Sequence, residues 1–272
     1  MAYLIGMYDS GVGGMTVSQE VIKAAPHCNL IYLGDTMRVP YGDKTEDEII
    51  CYSREITLFL IEKGADVIVV ACNTSSAMAL PVIKNDISIP IIGMIEPGVK
   101  AAVSSTKNGR FGVIATNNTI KSRAYEKAIK RLIPEAYVAG VGCPTLVPLV
   151  ESGETKGEKV RSVLLEYLEV MKRENVDTLI YGCTHYPFLE TEIRAILGDK
   201  VNLVDPAKAV AKEIETLVTA CGNADDSRGI IECFVTGDAG LFGKNASFLT
   251  NTVINRVEHI SLSTLESYGF RR

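Results

Sequence analysis

The sequence predicts an α/β fold built on mainly parallel strands. Short apolar runs alternate with stretches of helical periodicity, which is the pattern of successive βαβ units. Several of these runs are continuous Val, Ile and Leu without polar alternation, as expected for strands that helices cover on both faces. The length of 272 residues favours two domains of ordinary size.

The individual elements follow from the same periodicities. The predicted strands cover residues 4–8, 30–33, 67–71, 89–94, 111–115, 137–141, 178–181 and 202–204. Thr45 and Glu48 have the spacing of a capping box, and apolar residues then recur at helical spacing until Gly64, which suits a helix C-terminus. A second amphipathic helix is predicted over residues 160–171. Each of these two helices leads directly into a strand that ends in a cysteine.

An internal repeat relates the two halves of the chain. Residues 66–74 and 177–185 share one pattern: an Asp, an apolar strand, a small residue, a Cys and two polar residues. Upstream, residues 6–10 resemble residues 112–116. The same order of units therefore occurs twice, which predicts two similar doubly wound domains related by a pseudo-two-fold, with the active site in the cleft between them.

The domain boundaries are predicted from the turn-forming segments. Residues 90–98 are rich in Gly and Pro and form the expected crossing into the second unit, and Asp205-Pro206 marks the expected return. The first domain is predicted to comprise residues 1–97 and 208–272, and the second residues 98–207.

Composition and charge exclude several functional classes. A net charge of −5 and a pI near 5.4 give no reason to expect a nucleic-acid partner. The longest apolar run, residues 67–72, is far shorter than the roughly 20 residues needed to span a bilayer. The N-terminus lacks the basic and apolar regions of a signal peptide, so a cytoplasmic protein without a membrane partner is expected.

Cysteine usage indicates neither a disulfide framework nor a structural zinc site. The number is odd, and the two closest, Cys221 and Cys233, are too far apart for a metal knuckle. Most of the cysteines are expected to be small core residues. The seven are Cys28, Cys51, Cys72, Cys143, Cys183, Cys221 and Cys233.

The polar residues at strand ends indicate proton-transfer chemistry. In parallel α/β sheets, ligands bind beyond the carboxyl ends of the strands, where Asp9-Ser10, Cys72-Asn73-Thr74, Thr116 and Cys183-Thr184-His185 are predicted to lie. If the halves face each other, Cys72 and Cys183 approach one cleft from opposite sides. Two bases on opposite faces of a stereocentre invert it, because one removes a proton and the other returns one. Thiolate suits the base if nearby donors or a cation stabilise it, and His185 is a candidate for that role.

Other polar motifs carry weaker signals. Residues 11–14 are rich in glycine but lack both the dinucleotide-binding pattern and the lysine of a phosphate loop, so they predict a tight turn with N–H groups pointing towards a ligand carboxylate. Residues 40–42 look like an ordinary turn, and His27 and His259 are interpreted as structural.

At these positions the sequence closely resembles bacterial glutamate racemases of the Asp/Glu racemase superfamily. The matching segments run in family order to about residue 190, and their ordered set is far more specific than any one of them. Residues after about 220 carry little of this pattern and are assigned no chemistry. The segments are Asp9-Ser10-Gly11-Val12-Gly13-Gly14, Gly34-Asp35-Thr36 through Val39-Pro40-Tyr41-Gly42, Ala71-Cys72-Asn73-Thr74, Ile95-Glu96-Pro97, residues 116–119, Val147-Pro148-Leu149-Val150-Glu151 and Gly182-Cys183-Thr184-His185-Tyr186-Pro187.

The resemblance implies a cofactor-independent enzyme, without pyridoxal phosphate, metal or nucleotide, that supplies D-glutamate for peptidoglycan synthesis, and a possible homodimer. It implies that Cys72 deprotonates D-glutamate and Cys183 deprotonates L-glutamate. Asp9 and His185 would assist the cysteine nearest to each, and Glu151 would support the second half-site. The implied substrate-binding residues are Asp9, Ser10, Pro40, Tyr41, Gly42, Asn73, Thr74, Thr119, Thr184 and His185.

Three alternatives remain open at this level. One is an aspartate racemase, or a racemase for another amino acid, within the same superfamily. Another is a cysteine hydrolase that uses Cys183 and His185 as nucleophile and base, although neighbouring positions on one loop rarely give the needed orientation. The third is a binding protein that uses the cleft without catalysis. The sequence departs from the family mainly at Ser75, Met37 and Met94, and none of these changes removes a catalytic group.

Overall fold

The computed structural model describes residues 3–220, 228–250 and 252–269, which form two parallel β-sheets with helices on both faces of each. The first sheet has six strands in the order β10-β9-β2-β1-β3-β4, and the second has four in the order β6-β5-β7-β8. The strands are β1 Leu4–Asp9, β2 Asn29–Gly34, β3 Val67–Val70, β4 Ile91–Gly93, β5 Arg110–Ala115, β6 Tyr137–Gly142, β7 Thr178–Gly182, β8 Asn202–Val204, β9 Ile231–Val235 and β10 Arg256–His259.

Helices connect the strands and cover both faces of the sheets. Short 3₁₀ turns at Tyr41–Asp43, Lys84–Asp86 and Tyr186–Leu189 complete the connections. The α-helices are α1 Met15–Ala24, α2 Glu46–Glu62, α3 Asn73–Met78, α4 Leu80–Ile83, α5 Ile95–Ser105, α6 Asn117–Ser122, α7 Ala124–Leu132, α8 Leu146–Glu151, α9 Glu158–Arg173, α10 Glu190–Leu197, α11 Pro206–Ala220, α12 Ala239–Leu249 and α13 Leu262–Gly269.

The predicted repeat is present in both topology and register. The strand order β2-β1-β3-β4 in the first sheet corresponds to β6-β5-β7-β8 in the second. Ile5 of β1 pairs with Val67 of β3, and Phe111 of β5 pairs with Thr178 of β7, so the two central pairs also have corresponding registers. The α/β fold with two similar, mainly parallel sheets is therefore confirmed.

Apolar residues on successive strand positions face opposite layers, which explains the unbroken apolar runs. In the first sheet Met7 packs towards α1 and α11, whereas Tyr8 packs towards α2 and α13. In the second sheet Leu179 packs towards α9 and α10, whereas Ile180 packs towards α5 and α7. Each sheet thus lies at the centre of a three-layer unit.

The predicted boundaries differ from the structure mainly at β4, which is shorter than residues 89–94 because Pro90 has no N–H to donate and Met94 already caps α5. The capping box of α2 is formed: Thr45 Oγ1 accepts a hydrogen bond from Glu48 N–H, and the Glu48 side chain accepts one from Thr45 N–H. Gly64 lies just past the helix end with a φ of +91°, a conformation that glycine adopts readily. The helix predicted over residues 160–171 lies within α9.

The sequence did not predict β9 and β10, which extend the first sheet beyond β2. Their parallel pairing places the strands after residue 228 in the first sheet. The sequence predicts that the C-terminal segment packs against the first domain. The precise limits of the two domains stay a prediction.

Six described cysteines are free thiols, of which only Cys51 is exposed, and Cys221 lies outside the described residues. No helix within the described ranges is long and apolar enough to cross a membrane.

Candidate active site

A small cavity lies where the carboxyl ends of both sheets meet, with about 340 Å³ of space between the atoms when the adjoining solvent is included. Most of the residues predicted for the site line it. Thr119 and Glu151 do not, but each forms a hydrogen bond to a residue that does. The lining residues are Asp9, Ser10, Val39, Pro40, Tyr41, Gly42, Cys72, Asn73, Thr74, Thr116, Val147, Gly182, Cys183, Thr184 and His185.

The glycine-rich turn after β1 holds the carboxylate of Asp9. Asp9 Oδ2 accepts hydrogen bonds from the N–H groups of Gly11, at 3.2 Å, and Gly14, at 3.0 Å. The expectation that the turn's N–H groups point to a ligand is therefore wrong for these two, because they bind the protein's own carboxylate. Burial raises the pKa of Asp9, an effect that the charge of His185 and the two amide hydrogen bonds oppose.

Cys72 occupies the N-cap position of α3, immediately after β3. Its Sγ accepts a hydrogen bond from the N–H of Ser75 at 3.5 Å, and the residue is 5% exposed. Burial and the nearby charge of Asp9 raise the pKa of the Cys72 thiol to about 12, although the bond from Ser75 opposes them. Cys72 is therefore a thiol at neutral pH.

Cys183 lies at the corresponding position after β7 but in a different chemical environment. Its Sγ is 3.7 Å from Nδ1 of His185, and Nε2 of His185 is 2.8 Å from Oε1 of Glu151. Burial disfavours a charged imidazole, but the hydrogen bonds and charges of Cys183 and Glu151 outweigh it and raise the pKa of His185 to about 10. His185 is therefore an imidazolium at neutral pH, and its positive charge lies beside the sulfur of Cys183.

Hydroxyl and amide groups from both sheets form the opposite part of the wall. Thr74 Oγ1 lies 2.9 Å from Thr116 Oγ1 and 3.2 Å from Thr119 Oγ1, so the start of α3 is hydrogen-bonded to the start of α6. Tyr125 donates a 2.6 Å hydrogen bond to Oδ1 of Asn73. The Nδ2 of Asn73 is buried and has no hydrogen-bond partner within the described part of the chain, so it is a donor available to a bound molecule.

The turn at Pro40, Tyr41 and Gly42 is held from both halves. The Tyr41 hydroxyl donates to Oδ2 of Asp35 at 2.6 Å, and Nδ2 of Asn118 donates to the Tyr41 carbonyl at 3.1 Å. A Cβ on Gly42 would lie 3.1 Å from the side chain of Thr116, so glycine lets the turn approach the second half closely. The turn is thus a fixed part of the cavity wall.

Three of the lining residues, Val39, Val147 and Gly182, were not predicted for the site. Thr116, which was predicted to lie at a ligand-binding strand end, does line the cavity and follows β5 at the position that corresponds to Ser10 after β1. Val147 belongs to the matched segment that ends at Glu151, so the family resemblance could have indicated it. No group of three or more His, Cys, Asp or Glu side chains within the described ranges could hold a metal ion.

Two similar parallel sheets that close one cavity, with a buried cysteine at the corresponding strand end of each, define an α/β protein whose paired sheets share one site. The family model described as Asp/Glu/Hydantoin racemase matches residues 15–214. The chain belongs to this family.

Several relatives match over most of their length. A glutamate racemase from Desulforudis audaxviator is 44% identical over 246 residues, covering 88% of this chain and 90% of that protein. The crystal structure of a glutamate racemase isoform from Bacillus anthracis is similar with a TM-score of 0.91 at 37% identity, covering 96% of this chain and 98% of that one. The crystal structure of a Francisella tularensis glutamate racemase in complex with D-glutamate has a TM-score of 0.90 at 32% identity, covering 98% and 99%. The resemblance seen in the sequence is confirmed.

Proposed function

We propose that this chain interconverts L- and D-glutamate without a cofactor, by proton transfer between the α-carbon and two cysteines, and supplies D-glutamate for peptidoglycan synthesis. The observation that carries the proposal is that Cys72 and Cys183 line one cavity from corresponding strand ends of the two sheets. Relatives that span nearly the whole chain are glutamate racemases, and one of them was solved with D-glutamate bound.

The environments of the two cysteines differ in charge. The imidazolium of His185 lies beside Cys183, whereas burial and the charge of Asp9 raise the pKa of the Cys72 thiol to about 12. An inverting reaction needs one sulfur that accepts a proton and one that donates a proton. For L-glutamate, we assign the accepting role to Cys183 and the donating role to Cys72.

The proton balance follows from these roles. The Cys183 thiolate takes the α-proton of L-glutamate and becomes a thiol, which leaves a carbanion at the α-carbon. The Cys72 thiol gives its proton to the opposite face of that carbon, which forms D-glutamate and leaves a thiolate at Cys72. In the reverse direction the two sulfurs exchange roles, with Asp9 assisting Cys72 and His185, oriented by Glu151, assisting Cys183.

Donors on the wall suit a substrate with two carboxylates and an ammonium group. The free Nδ2 of Asn73 and the hydroxyl of Thr74 can bind one carboxylate, and Thr119 supports them through its hydrogen bond to Thr74. Ser10, Thr184 and the turn of Pro40, Tyr41 and Gly42 provide further polar contacts, and Asp9 can accept from the ammonium group. Fixed donors of this kind also stabilise charge that develops during proton removal.

One observation favours a second candidate, a cysteine hydrolase. Cys183, His185 and Glu151 are linked in series at 3.7 and 2.8 Å, so the loop does bring the imidazole to the sulfur, contrary to the sequence-based expectation about orientation. Such a hydrolase would not use Cys72, although that thiol lines the same cavity. The racemase accounts for both cysteines.

The test removes each thiol separately. In buffered D₂O without pyridoxal phosphate, the wild-type protein should convert L-glutamate to D-glutamate carrying deuterium at the α-carbon, measured by chiral chromatography and mass spectrometry. Cys72→Ala and Cys183→Ala should each lower kcat by about 1,000-fold or more, because each removes an obligatory base. Cys233→Ala removes a buried thiol from β9, away from the cavity, and should racemise as wild type does.

The outcomes separate the candidates. Activity that survives Cys72→Ala but not Cys183→Ala would contradict the two-base mechanism. Faster turnover of L-aspartate than of L-glutamate would assign the chain to the alternative substrate. Growth of a D-glutamate-requiring bacterium that expresses the chain tests the cellular role, and failure to grow despite activity in vitro would refute it.

A further inference from the structure

A buried polar network links the C-terminal segment to the turn that lines the cavity. Asp35 follows β2 and Thr236 follows β9, and the two strands pair up to Gly34 and Val235. The register therefore places Asp35 and Thr236 side by side at the carboxyl edge of the first sheet. Thr236 Oγ1 donates a 2.9 Å hydrogen bond to Oδ1 of Asp35, and the pair is 2% and 0% exposed.

The second oxygen of Asp35 holds the turn. Tyr41 donates its hydroxyl to Oδ2 of Asp35 at 2.6 Å, and Arg38 approaches the same oxygen at 3.5 Å. Arg38 also pairs with Glu55 at 2.8 Å and with Glu266 at 3.4 Å, so it is shared among three carboxylates. The hydroxyl of Thr236 holds the other oxygen, Oδ1, and so fixes the carboxylate from its second side.

Thr236 also fixes the backbone of the segment that leads into the turn. Its Oγ1 accepts a 2.9 Å hydrogen bond from the N–H of Met37, three residues before Pro40. The Thr236 hydroxyl thus holds this segment in two ways. It binds the N–H of Met37 directly, and it binds Asp35, which in turn binds Tyr41. Thr236 does not line the cavity, so it has no direct contact with a bound molecule there.

We propose that Thr236 is a positioning residue for substrate binding, which acts through Asp35 and Met37 to hold the turn at Pro40, Tyr41 and Gly42 in its binding position. The proposal rests on the proposed function, in which this turn contacts the substrate. It gives the C-terminal segment, to which the sequence assigned no chemistry, a defined part in the site. Losing the hydroxyl leaves Oδ1 of Asp35 buried without its donor, and the carboxylate is then free to rotate away from Tyr41.

The experiment compares near-isosteric variants of the intact chain. Thr236→Val removes the hydroxyl and keeps the shape, and it should raise KM for L-glutamate about tenfold with kcat nearly unchanged, because binding contacts that persist in the transition state are weakened. Thr236→Ser restores the hydroxyl and should restore KM. Thr250→Val is the matched control: Thr250 is buried in the same segment and donates to the Ala246 carbonyl, with no contact to Asp35.

Two further measurements distinguish positioning from general destabilisation. Amide hydrogen exchange of a peptide covering residues 37–44 should accelerate in Thr236→Val but not in Thr250→Val. In a Tyr41→Phe background, the effect of Thr236→Val on KM should shrink, because Asp35 then has no hydroxyl to hold. The proposal is overturned if Thr236→Val matches Thr250→Val in KM and exchange, or if its effect is fully additive with Tyr41→Phe. Absence of racemisation by the wild type would refute the proposed function, while the exchange comparison would still decide the role of Thr236.

Discussion

The hydrogen bond between Glu151 and His185 gives a quantitative prediction about the charge of the second half-site. The atoms Oε1 and Nε2 are 2.8 Å apart, with side-chain exposures of 32% for Glu151 and 3% for His185. A hydrogen bond to a charged group contributes about 1.5–3 kcal/mol, and partial exposure of Glu151 places this one in the lower part of that range. Glu151→Gln keeps an acceptor but removes the charge, so the loss should be about 1.5–2 kcal/mol.

That loss converts directly into the pKa of His185. Because about 1.4 kcal/mol corresponds to one pH unit, the pKa should fall by about 1 to 1.5 units. The wild-type pKa is raised to about 10, against the opposing effect of burial, by Cys183 and Glu151. In Glu151→Gln the pKa of His185 should therefore be about 8.5–9, which is still above the ordinary histidine value.

NMR titration of the imidazole Cε1–H signals measures this value without substrate. The chain has only three histidines, and the spectrum of His185→Gln assigns the signal of interest. Glu154→Gln is the control, because Glu154 pairs with Lys159 and leaves His185 unaffected. A wild-type midpoint near 6.5, or an unchanged midpoint in Glu151→Gln, would refute the reasoning.

The same shift determines how stability depends on pH. The folded-state pKa of His185 is above its unfolded value, so protonated His185 stabilises the fold fully below about pH 6.5, and this contribution is lost as the pH rises through about 10. The difference in unfolding free energy between wild type and Glu151→Gln should be largest at the lower end of this range, near pH 6.5. The difference should fall towards zero as the pH rises to 10, and urea titrations at several pH values will measure it.

Two further predictions concern packing and capping. Gly13→Ala places a Cβ 2.5 Å from Thr184 Oγ1 and 2.6 Å from the His185 ring. Because these side chains must then move, the variant should lower kcat/KM by about 100-fold. Gly243→Ala is the control, since its Cβ meets Val257 at 3.7 Å and should leave kcat/KM unchanged. Equal activity of the two variants in a racemisation assay would contradict the close packing. Thr45→Ala removes the capping box of α2 and should lower the unfolding free energy by about 1 kcal/mol in urea titrations, with kcat/KM unaltered. A loss below a few tenths of a kcal/mol would show that the cap contributes little.

The parts of the fold that the sequence predicted are those fixed by local pattern. Unbroken apolar runs gave the buried strands, and the matching runs 66–74 and 177–185 gave the two-sheet architecture. The strands β9 and β10 were missed because their apolar pattern is weak: Glu232 interrupts the apolar run of β9, and three of the four residues of β10 are polar. The place of β9 in the sheet depends on pairing with β2, about 200 residues away, and β10 in turn pairs with β9, which no local pattern reveals.

The candidate site also contains some residues that local pattern predicts and others that it does not. Strand-end residues such as Cys72 and Cys183 could be predicted because topology alone places them at one edge of each sheet. The residues that support the site from outside the cavity were harder to predict: Glu151 was indicated only by the family resemblance, and Thr236 was not indicated at all. A hydrogen bond between Asp35 and Thr236 spans 201 positions and exists only because β2 and β9 are in register.

The repeat therefore explains where the two sulfurs lie but not why they differ. The second residue after each cysteine is Thr74 in the first half and His185 in the second. Thr74 bonds to Thr116 and remains neutral, whereas His185 carries a positive charge beside Cys183. Two equivalent thiols that share one proton can also act as an acid and a base, so inversion itself does not require the two halves to differ. The imidazolium beside Cys183 and the carboxyl group of Asp9 near Cys72 place unlike groups next to the two sulfurs. We infer that this asymmetry of charge distinguishes the two half-sites, whereas the repeat alone would make them equal.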